Sequence, residues 1–376
     1  MKIAVLTSSR ADYGIYLPLL RKLKSDVFFQ LEIIAFGTHL SKNHGYTLNA
    51  IQNDGFDKIH QLDSLGNDDS QKGISTSYGN TILKFSEFWQ NNRFDLVCCL
   101  GDRFEMSSAV QASIPFGVKL AHIHGGETTL GAIDNVYRHQ ISLASKLHFV
   151  STLAYKKKVE ELIGSSENIY NVGALSLDDI SDFQPIKKSI FLDEFQIKNE
   201  KYALITFHPE TVAVDSNIAY AKQMRTALAE LTKTLYIVIT MPNADTLGSV
   251  YRKEIHKLKA EIPNKIVLVE NFGKANYFSA MYYAELLIGN TSSGIIEAAS
   301  FNKYVINVGA RQKGRAKSVN VFDVGFDAKK IVDKTNAILK LPNFREGNIY
   351  YKTATADTII KIIKQYDKLQ KTSHNK

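Results

Sequence analysis

Two doubly wound, Rossmann-like α/β domains are the fold that this sequence predicts, and three observations predict it. The chain has 376 residues, more than one hydrophobic core usually organises. Short β-branched runs alternate with amphipathic stretches, so the apolar period switches from about two to 3.6 and back, as βαβ units on a parallel sheet require. The alternation also stops in a polar stretch and then restarts, which places a first domain at 1–175, a linker at 176–199 and a second domain at 200–355.

In order, strands are expected at Ile3–Leu6, Leu31–Ala35, Leu96–Leu100, Lys119–Ile123 and Leu147–Val150, with helices at Tyr13–Leu23, Thr76–Gln90 and Phe104–Ala112 between them. After the linker the strand-like runs are YALITF from Tyr202, TLYIVIT from Thr234, KIVLVE from Lys265, AELLIG from Ala284 and YVINVG from Tyr304. A last helix near 357–370, within the terminal segment 356–376, is placed to return to the first domain.

Composition narrows the function classes. With 44% hydrophobic and 22% charged residues the chain reads as globular. Its longest apolar runs, such as Leu235 to Ile239, fall far short of the roughly 18 residues of a membrane span. MKIAVLTSSR reads as a first strand and not as a targeting segment, so a cytoplasmic protein without membrane partners is expected. Cys98 and Cys99 are adjacent in an apolar strand and point to opposite faces, which fits a reducing compartment. The net charge of +8 suits an anionic ligand, although much of the excess is lysine on surface helices. No basic stripe interleaved with aromatics is present, and no nucleic-acid partner is expected.

In doubly wound folds ligands bind outside the carboxyl ends of the strands. Six such ends carry polar motifs: TSSRADYG, GDRFE, HIHGGE, FHPET, MPNADT and GNTSSG. They come from both halves, which points to an active site in the interdomain cleft. In IGNTSSGIIEAAS a strand runs into Asn290, Thr291, Ser292, Ser293 and Gly294 and then a helix, which Ser292 and Ser293 can cap while donating to a phosphate. Glu297, about one turn on, is placed to accept two ribose hydroxyls, and Arg10 offers a guanidinium for a diphosphate at the matching turn of the first half. G-x-G-x-x-G and G-x-x-x-x-G-K-[ST] are both missing, so a nucleotide-sugar is the remaining nucleotide class.

The motifs SSRADYG, GDRFE, HIHGGETTLGAIDNVYRH, FHPET, NADT, IGNTSSGIIEA and VGARQKGR, in order from about residue 3 to residue 325, resemble the hydrolysing UDP-N-acetylglucosamine 2-epimerases of bacterial sialic and legionaminic acid synthesis. The resemblance implies a GT-B-type fold, a homodimer, no cofactor and no metal. It also implies release of free N-acetylmannosamine and UDP from the nucleotide sugar and water. Inversion at C2 through a glycal needs proton-transfer groups on two faces, and carboxylates with raised pKa values suit both tasks.

Motif match nominates Asp102, Glu127 and Asp134 as those carboxylates, and His208 as a catalytic and phosphate partner. Arg103, Asn243 and Arg311 join Arg10 as diphosphate or base contacts, and His39, His124, Arg138 and His139 are expected near the sugar. Several readings stay open. Asp134 can be a helix cap paired with Arg138, and His122, His124 and Glu127 can be a zinc site, although companion ligands are not evident. UDP-diacetylbacillosamine or a GDP-sugar can replace the substrate. A non-hydrolysing epimerase, a GT-B glycosyltransferase and a nucleotide-sugar sensor are the rival functions.

Overall fold

Strand follows helix from the first residues of the chain. In the computed structural model, which describes residues 1–42, 45–210, 214–242 and 248–374, the apolar run β1 (Lys2–Thr7) leads through a Ser8-Ser9 turn into α1 (Arg10–Ser25). Ser9 caps that helix in a reciprocal box with Asp12, which satisfies amides that the first helical turn leaves without partners. The pattern continues with β2 (Gln30–Phe36), α2 (Leu48–Asn53), β3 (Ile59–Leu62), α3 (Gln71–Asn91), β4 (Leu96–Leu100) and α4 (Phe104–Ser113). It ends with β5 (Leu120–Ile123), α5 (Asp134–Ala144), β6 (Leu147–Val150), α6 (Leu153–Ile163) and β7 (Ile169–Asn171). All strands are parallel, in the order β3-β2-β1-β4-β5-β6-β7. Apolar cores cover both faces of this sheet, one including Val5, Cys98 and Ile123 and the other including Leu6, Cys99 and Leu120. The two cysteines therefore face opposite ways and both are free thiols.

A second unit repeats the plan. Short α7 (Lys188–Glu194) precedes β8 (Tyr202–Thr206), α8 (Asn217–Leu231), β9 (Tyr236–Thr240), α9 (Gly248–Glu261), β10 (Ile266–Val269) and α10 (Gly273–Tyr283). β11 (Leu286–Gly289), α11 (Ser292–Ile296), β12 (Val305–Val308), β13 (Val321–Val324) and α12 (Ala328–Ile338) complete it, in the parallel order β10-β9-β8-β11-β12-β13. The chain then closes with α13 (Thr355–His374), which packs on α1 and pairs Lys22 with Asp357 at 2.8 Å.

Unit boundaries differ from the sequence expectation. The first unit comprises Met1–Glu127, Asp134–Ser181 and everything from Tyr350 onward, whereas the second takes Asp182–Ile349 and the segment Thr128–Ile133. Most of the expected linker is thus part of the second unit, because α7 buries Phe191 and Leu192 and stacks Phe191 on Phe272. β3, β7 and β13 are additional to the expected strands.

In each sheet the strand order reverses once, between β1 and β4 and between β8 and β11. Outside the carboxyl ends of such a pair the two neighbouring loops run in opposite directions and leave a crevice, the usual ligand position of this architecture. Ser8 to Arg10 and Gly101 to Arg103 lie at the first switch point, and Phe207 to Glu210 and Asn290 to Ser293 at the second.

Candidate active site

In the first unit the turn after β1 is organised by one carboxylate. Asp12 is buried and accepts from the amides of Ser8, Ser9 and Tyr13 and from the hydroxyls of Thr7, Ser8 and Ser9, all between 2.8 and 3.1 Å. The turn after β2 is tied to it, since Thr38 donates its amide to the Ser8 carbonyl at 2.8 Å. Gly37, at φ +59°, admits this approach, because a Cβ there would lie 2.7 Å from the Ser8 carbonyl oxygen. His39 is enclosed in the same assembly. Its ring nitrogens contact Thr7 Oγ1 at 2.9 Å and Thr47 Oγ1 at 2.8 Å, and burial lowers its pKa. The structure thus places His39 behind the turn as a support, while Arg10 begins α1 at the switch point and is half-buried.

Next to this turn stands a group of charges, buried except for half-buried Asp102. Arg138, on α5, donates from one guanidinium nitrogen to Asp102 Oδ2 and from the other to the His124 carbonyl at 2.7 Å. The nitrogen that binds His124 also stands 3.8 Å from Glu127 Oε2. Glu127 Oε1 accepts from Ser151 at 3.1 Å and contacts His124 Nδ1 at 2.7 Å. One guanidinium therefore bridges carboxylates from two strand ends, which offsets the cost of burying them. Arg138 is used by these groups, so the structure makes it a carboxylate bridge where a sugar contact was expected.

The Gly-Gly pair follows from packing. A Cβ on Gly126, at φ +75°, would lie 2.5 Å from the Tyr155 carbonyl oxygen, and one on Gly125 would lie 3.1 Å from His122 Nδ1. His122 is fully buried, with Nε2 on the Gly101 carbonyl at 2.9 Å and Nδ1 on Ser142 Oγ at 2.9 Å. Desolvation holds its pKa down at about 3, so the ring is neutral, donates to Gly101 and accepts from Ser142. His122 lies on β5, whereas His124 follows the strand at φ +66°, and the two spend their ring nitrogens on different partners, an arrangement that does not present a common ligand face.

Asp134 opens α5 and His139 lies on the same helix, both half-buried, with the His139 pKa lowered by burial and then by Arg138. Arg103 caps α4 and grips Glu105 through two contacts, Nη2 to Oε1 at 2.8 Å and Nε to Oε2 at 3.2 Å. Glu105 is fully buried and holds the Nε and Nη2 edge of the Arg103 guanidinium in place.

In the second unit the switch point is built around Asn290. Its side chain accepts from the His208 amide at 2.7 Å and donates to the His208 carbonyl at 2.8 Å, which fixes the backbone of FHPET. Gly289, at φ +148°, lets β11 run against β8, since a Cβ would fall 1.8 Å from the Thr206 carbonyl oxygen. The cap of α11 is Thr291, accepting from the Ser293 amide, and not Ser292 or Ser293. That frees the Ser292 hydroxyl from capping, while Ser293 Oγ meets Tyr277 OH at 2.6 Å. Glu297 lies about one turn beyond Ser293, as the residue that closes α11. Gly294 is packed close to Val305 of β12. Arg311 and Gln312 both donate to the Asn290 carbonyl, at 3.4 and 2.8 Å. Asn243 lies outside the described residues.

A family model described as UDP-N-acetylglucosamine 2-epimerase matches residues 21–364. The chain belongs to the UDP-N-acetylglucosamine 2-epimerase family. It is 32% identical over 365 residues to a UDP-N,N'-diacetylbacillosamine 2-epimerase (hydrolyzing) of Legionella pneumophila, covering 96% of this chain and 95% of the relative. It is also 32% identical over 373 residues to the polysialic acid biosynthesis protein P7 of Escherichia coli, covering 98% and 94%. The crystal structure of the Neisseria meningitidis UDP-GlcNAc 2-epimerase bound to UDP-GlcNAc superposes with a TM-score of 0.82 at 17% identity, over 97% of this chain and all of that one. That likeness establishes the GT-B-type pair of Rossmann-like domains for this epimerase-family chain.

Asp12, Glu105, Ser151, Glu210 and Gln312 support this family member's site without having been singled out in the sequence. The S-x-x-D spacing from Ser9 to Asp12 carried the signal for the first of them. Glu105 pairs with Arg103 two residues before it, within GDRFE; for Ser151, Glu210 and Gln312 the partner is distant in sequence and carries no local signature.

Proposed function

We infer that this chain is a hydrolysing nucleotide-sugar 2-epimerase that converts UDP-N-acetylglucosamine, or a close analogue, and water to the free 2-epimeric sugar and UDP. The resemblance extends this reading to a cytoplasmic homodimer in nonulosonic acid biosynthesis. The observation that carries it is the linked set of half-buried Asp102 with buried Glu127, His124 and Arg138 in a family member. Carboxylates held in place beside a shared cation are suited to exchanging protons with carbon, and a glycosyl acceptor is not needed to explain them.

The chemistry balances as follows. The C1–O bond to the diphosphate breaks with its electron pair leaving on UDP, and a carboxylate takes the C2 proton, giving the glycal. The second carboxyl group then delivers its proton to C2 on the opposite face as water adds its oxygen to C1, and the proton that water loses restores that group. Glu127 and Asp134 are assigned the two proton transfers, with Asp102 orienting a sugar hydroxyl or sharing the base role. Arg10, Arg103, His208, Ser292, Ser293 and Arg311 are assigned to the diphosphate, Glu297 to the ribose hydroxyls, and His39 and His139 to the support of the sugar end. Hydrolysis, and not return of UDP to C1, is supported by the Legionella relative, whose name carries that outcome. The same relative supports UDP-N,N'-diacetylbacillosamine as a second substrate reading.

Proton NMR in heavy water tests both. The enzyme is incubated separately with UDP-N-acetylglucosamine, UDP-N,N'-diacetylbacillosamine and the GDP-sugar. A free 2-epimer carrying deuterium at C2, together with nucleoside diphosphate, is expected from the true substrate. An epimerised sugar still attached to its nucleotide would convict the hydrolytic step, and no turnover of any of the three would overturn the epimerase reading.

A further inference from the structure

Glu210, the acidic residue of FHPET, is 3% exposed. Its Oε1 alone accepts two backbone amides of the turn after β12, that of Ala310 and that of Arg311 at 3.1 Å. Gly309, at φ +83°, makes room for it, since a Cβ there would lie 2.3 Å from that oxygen. Glu210 is itself fixed, as its amide donates to Asn217 Oδ1 at 2.9 Å and its carbonyl accepts from Asn217 Nδ2 at 3.0 Å.

The turn held in this way makes two further contacts within the second unit. Arg311 and Gln312 reach the Asn290 carbonyl at the end of β11, beside Ser292 and Ser293. The Lys313 carbonyl accepts the amide of Leu130 at 2.9 Å, and Gly131 packs so closely that a Cβ would lie 2.4 Å from the Ala310 carbonyl oxygen. Leu130 and Gly131 belong to Thr128–Ile133, the segment whose chain neighbours are Glu127 and Asp134.

We propose that Glu210 is a positioning residue that holds one turn in register for two tasks: presenting Arg311 at the diphosphate end, and anchoring the segment that joins the two proton-transferring carboxylates. This rests on the nucleotide-sugar reading above. Without the carboxylate, two backbone N–H groups lose their acceptor and the turn relaxes toward other partners. Glutamine keeps an oxygen with room for both amides, so its behaviour separates positioning from chemistry performed by the charge.

The test is isothermal titration with UDP, together with steady-state kinetics, on the full chain and on E210A, E210Q and G309A. E210A is expected to weaken UDP binding and to lower kcat, each by at least about tenfold, whereas E210Q stays within about threefold of wild type in both. G309A, which crowds the carboxylate from the turn side, is expected to behave like E210A. UDP affinity and kcat unchanged in E210A would overturn the proposal, and so would an E210Q as impaired as E210A. If E210A fails to unfold cooperatively, E210Q and G309A decide by the same criteria: a wild-type-like G309A or a crippled E210Q overturns it. Absence of UDP and GDP binding by the wild-type chain would instead remove the nucleotide-sugar reading on which the proposal stands.

Discussion

His124 and Glu127 are set as donor and acceptor by a third group. The Leu175 amide donates to His124 Nε2 at 3.4 Å, so in the neutral ring the proton resides on Nδ1, which lies 2.7 Å from Glu127 Oε1. His124 holds this geometry at φ +66°, a left-handed conformation uncommon for a residue with a side chain. An outlier retained beside a buried carboxylate is consistent with a device that aims that carboxylate.

Replacing Glu127 by glutamine removes its capacity to exchange a proton while keeping its shape. The E127Q chain is expected to lose roughly 10²–10⁴-fold in kcat while binding UDP within about threefold of wild type, since the loss falls on proton transfer and not on the nucleotide. Sugar release followed by NMR, with titration of UDP, checks both parts. Retained turnover would move the base to another carboxylate.

Arg138 is expected to matter for stability as well as rate. Arg138→Met leaves half-buried Asp102 and buried Glu127 without their shared cation, and breaking a buried pair from one side costs about 3–5 kcal/mol. Urea unfolding of R138M should show that loss, and Arg138→Lys should recover only part of it, because an ammonium cannot span Asp102, Glu127 and the His124 carbonyl in one plane. A stability within about 1 kcal/mol of wild type would mean that the bridge contributes little.

Much of this arrangement was legible before the structure. Strand-end motifs were visible because alternating apolar runs mark the strands, and the residue after each run is then a crevice residue by topology. Edge strands were harder to see. β3 reads Ile-His-Gln-Leu and β13 reads Val-Phe-Asp-Val, and edge positions such as these accept polar residues that break the apolar run. Side-chain roles were least legible where the partner is far away in sequence. Arg138 binds Asp102 across 36 positions and Glu210 reaches Ala310 across 100, and neither spacing leaves a local pattern. Helix ends were misjudged by one residue at Thr291, where adjacent hydroxyl residues are equivalent as caps until the backbone decides between them.

Asp12 gathers the whole turn after β1, so its amide analogue should not be tolerated. Asp12→Asn replaces one acceptor oxygen by a donor that faces other donors, the amide and hydroxyl of Ser8 at Oδ2 or those of Ser9 at Oδ1. A loss of about 2–3 kcal/mol is expected, with weaker UDP-sugar binding because Arg10 begins the helix that this turn caps. Denaturant midpoints and KM for the nucleotide sugar measure the two effects, and a D12N chain matching wild type in both would remove Asp12 from the account.

Acid should unfold this protein earlier than its carboxylates alone would dictate. His122 and His148, both buried, have pKa values lowered mainly by desolvation to about 3 and about 4, against 6.5 for an exposed histidine. Their folded-state values are depressed, so below pH 6.5 the unfolded chain binds protons that the folded chain refuses. Stability therefore rises with pH through the window from about 4 to 6.5 and is fully present above it. Each such histidine contributes a slope of up to about 1.4 kcal/mol per pH unit within that window. Urea unfolding at pH 7.0, 5.5 and 4.5 should show the decline, and His148→Leu should flatten it by nearly one proton's worth, because it removes one of the two buried rings. The His148 Nδ1 has no hydrogen-bond partner among the described residues, and loss of the bond that the ring makes to the Ser145 backbone lowers the variant's stability at every pH without changing the slope. Parallel curves for wild type and H148L would show that His148 takes up its proton in the folded state as readily as in the unfolded one.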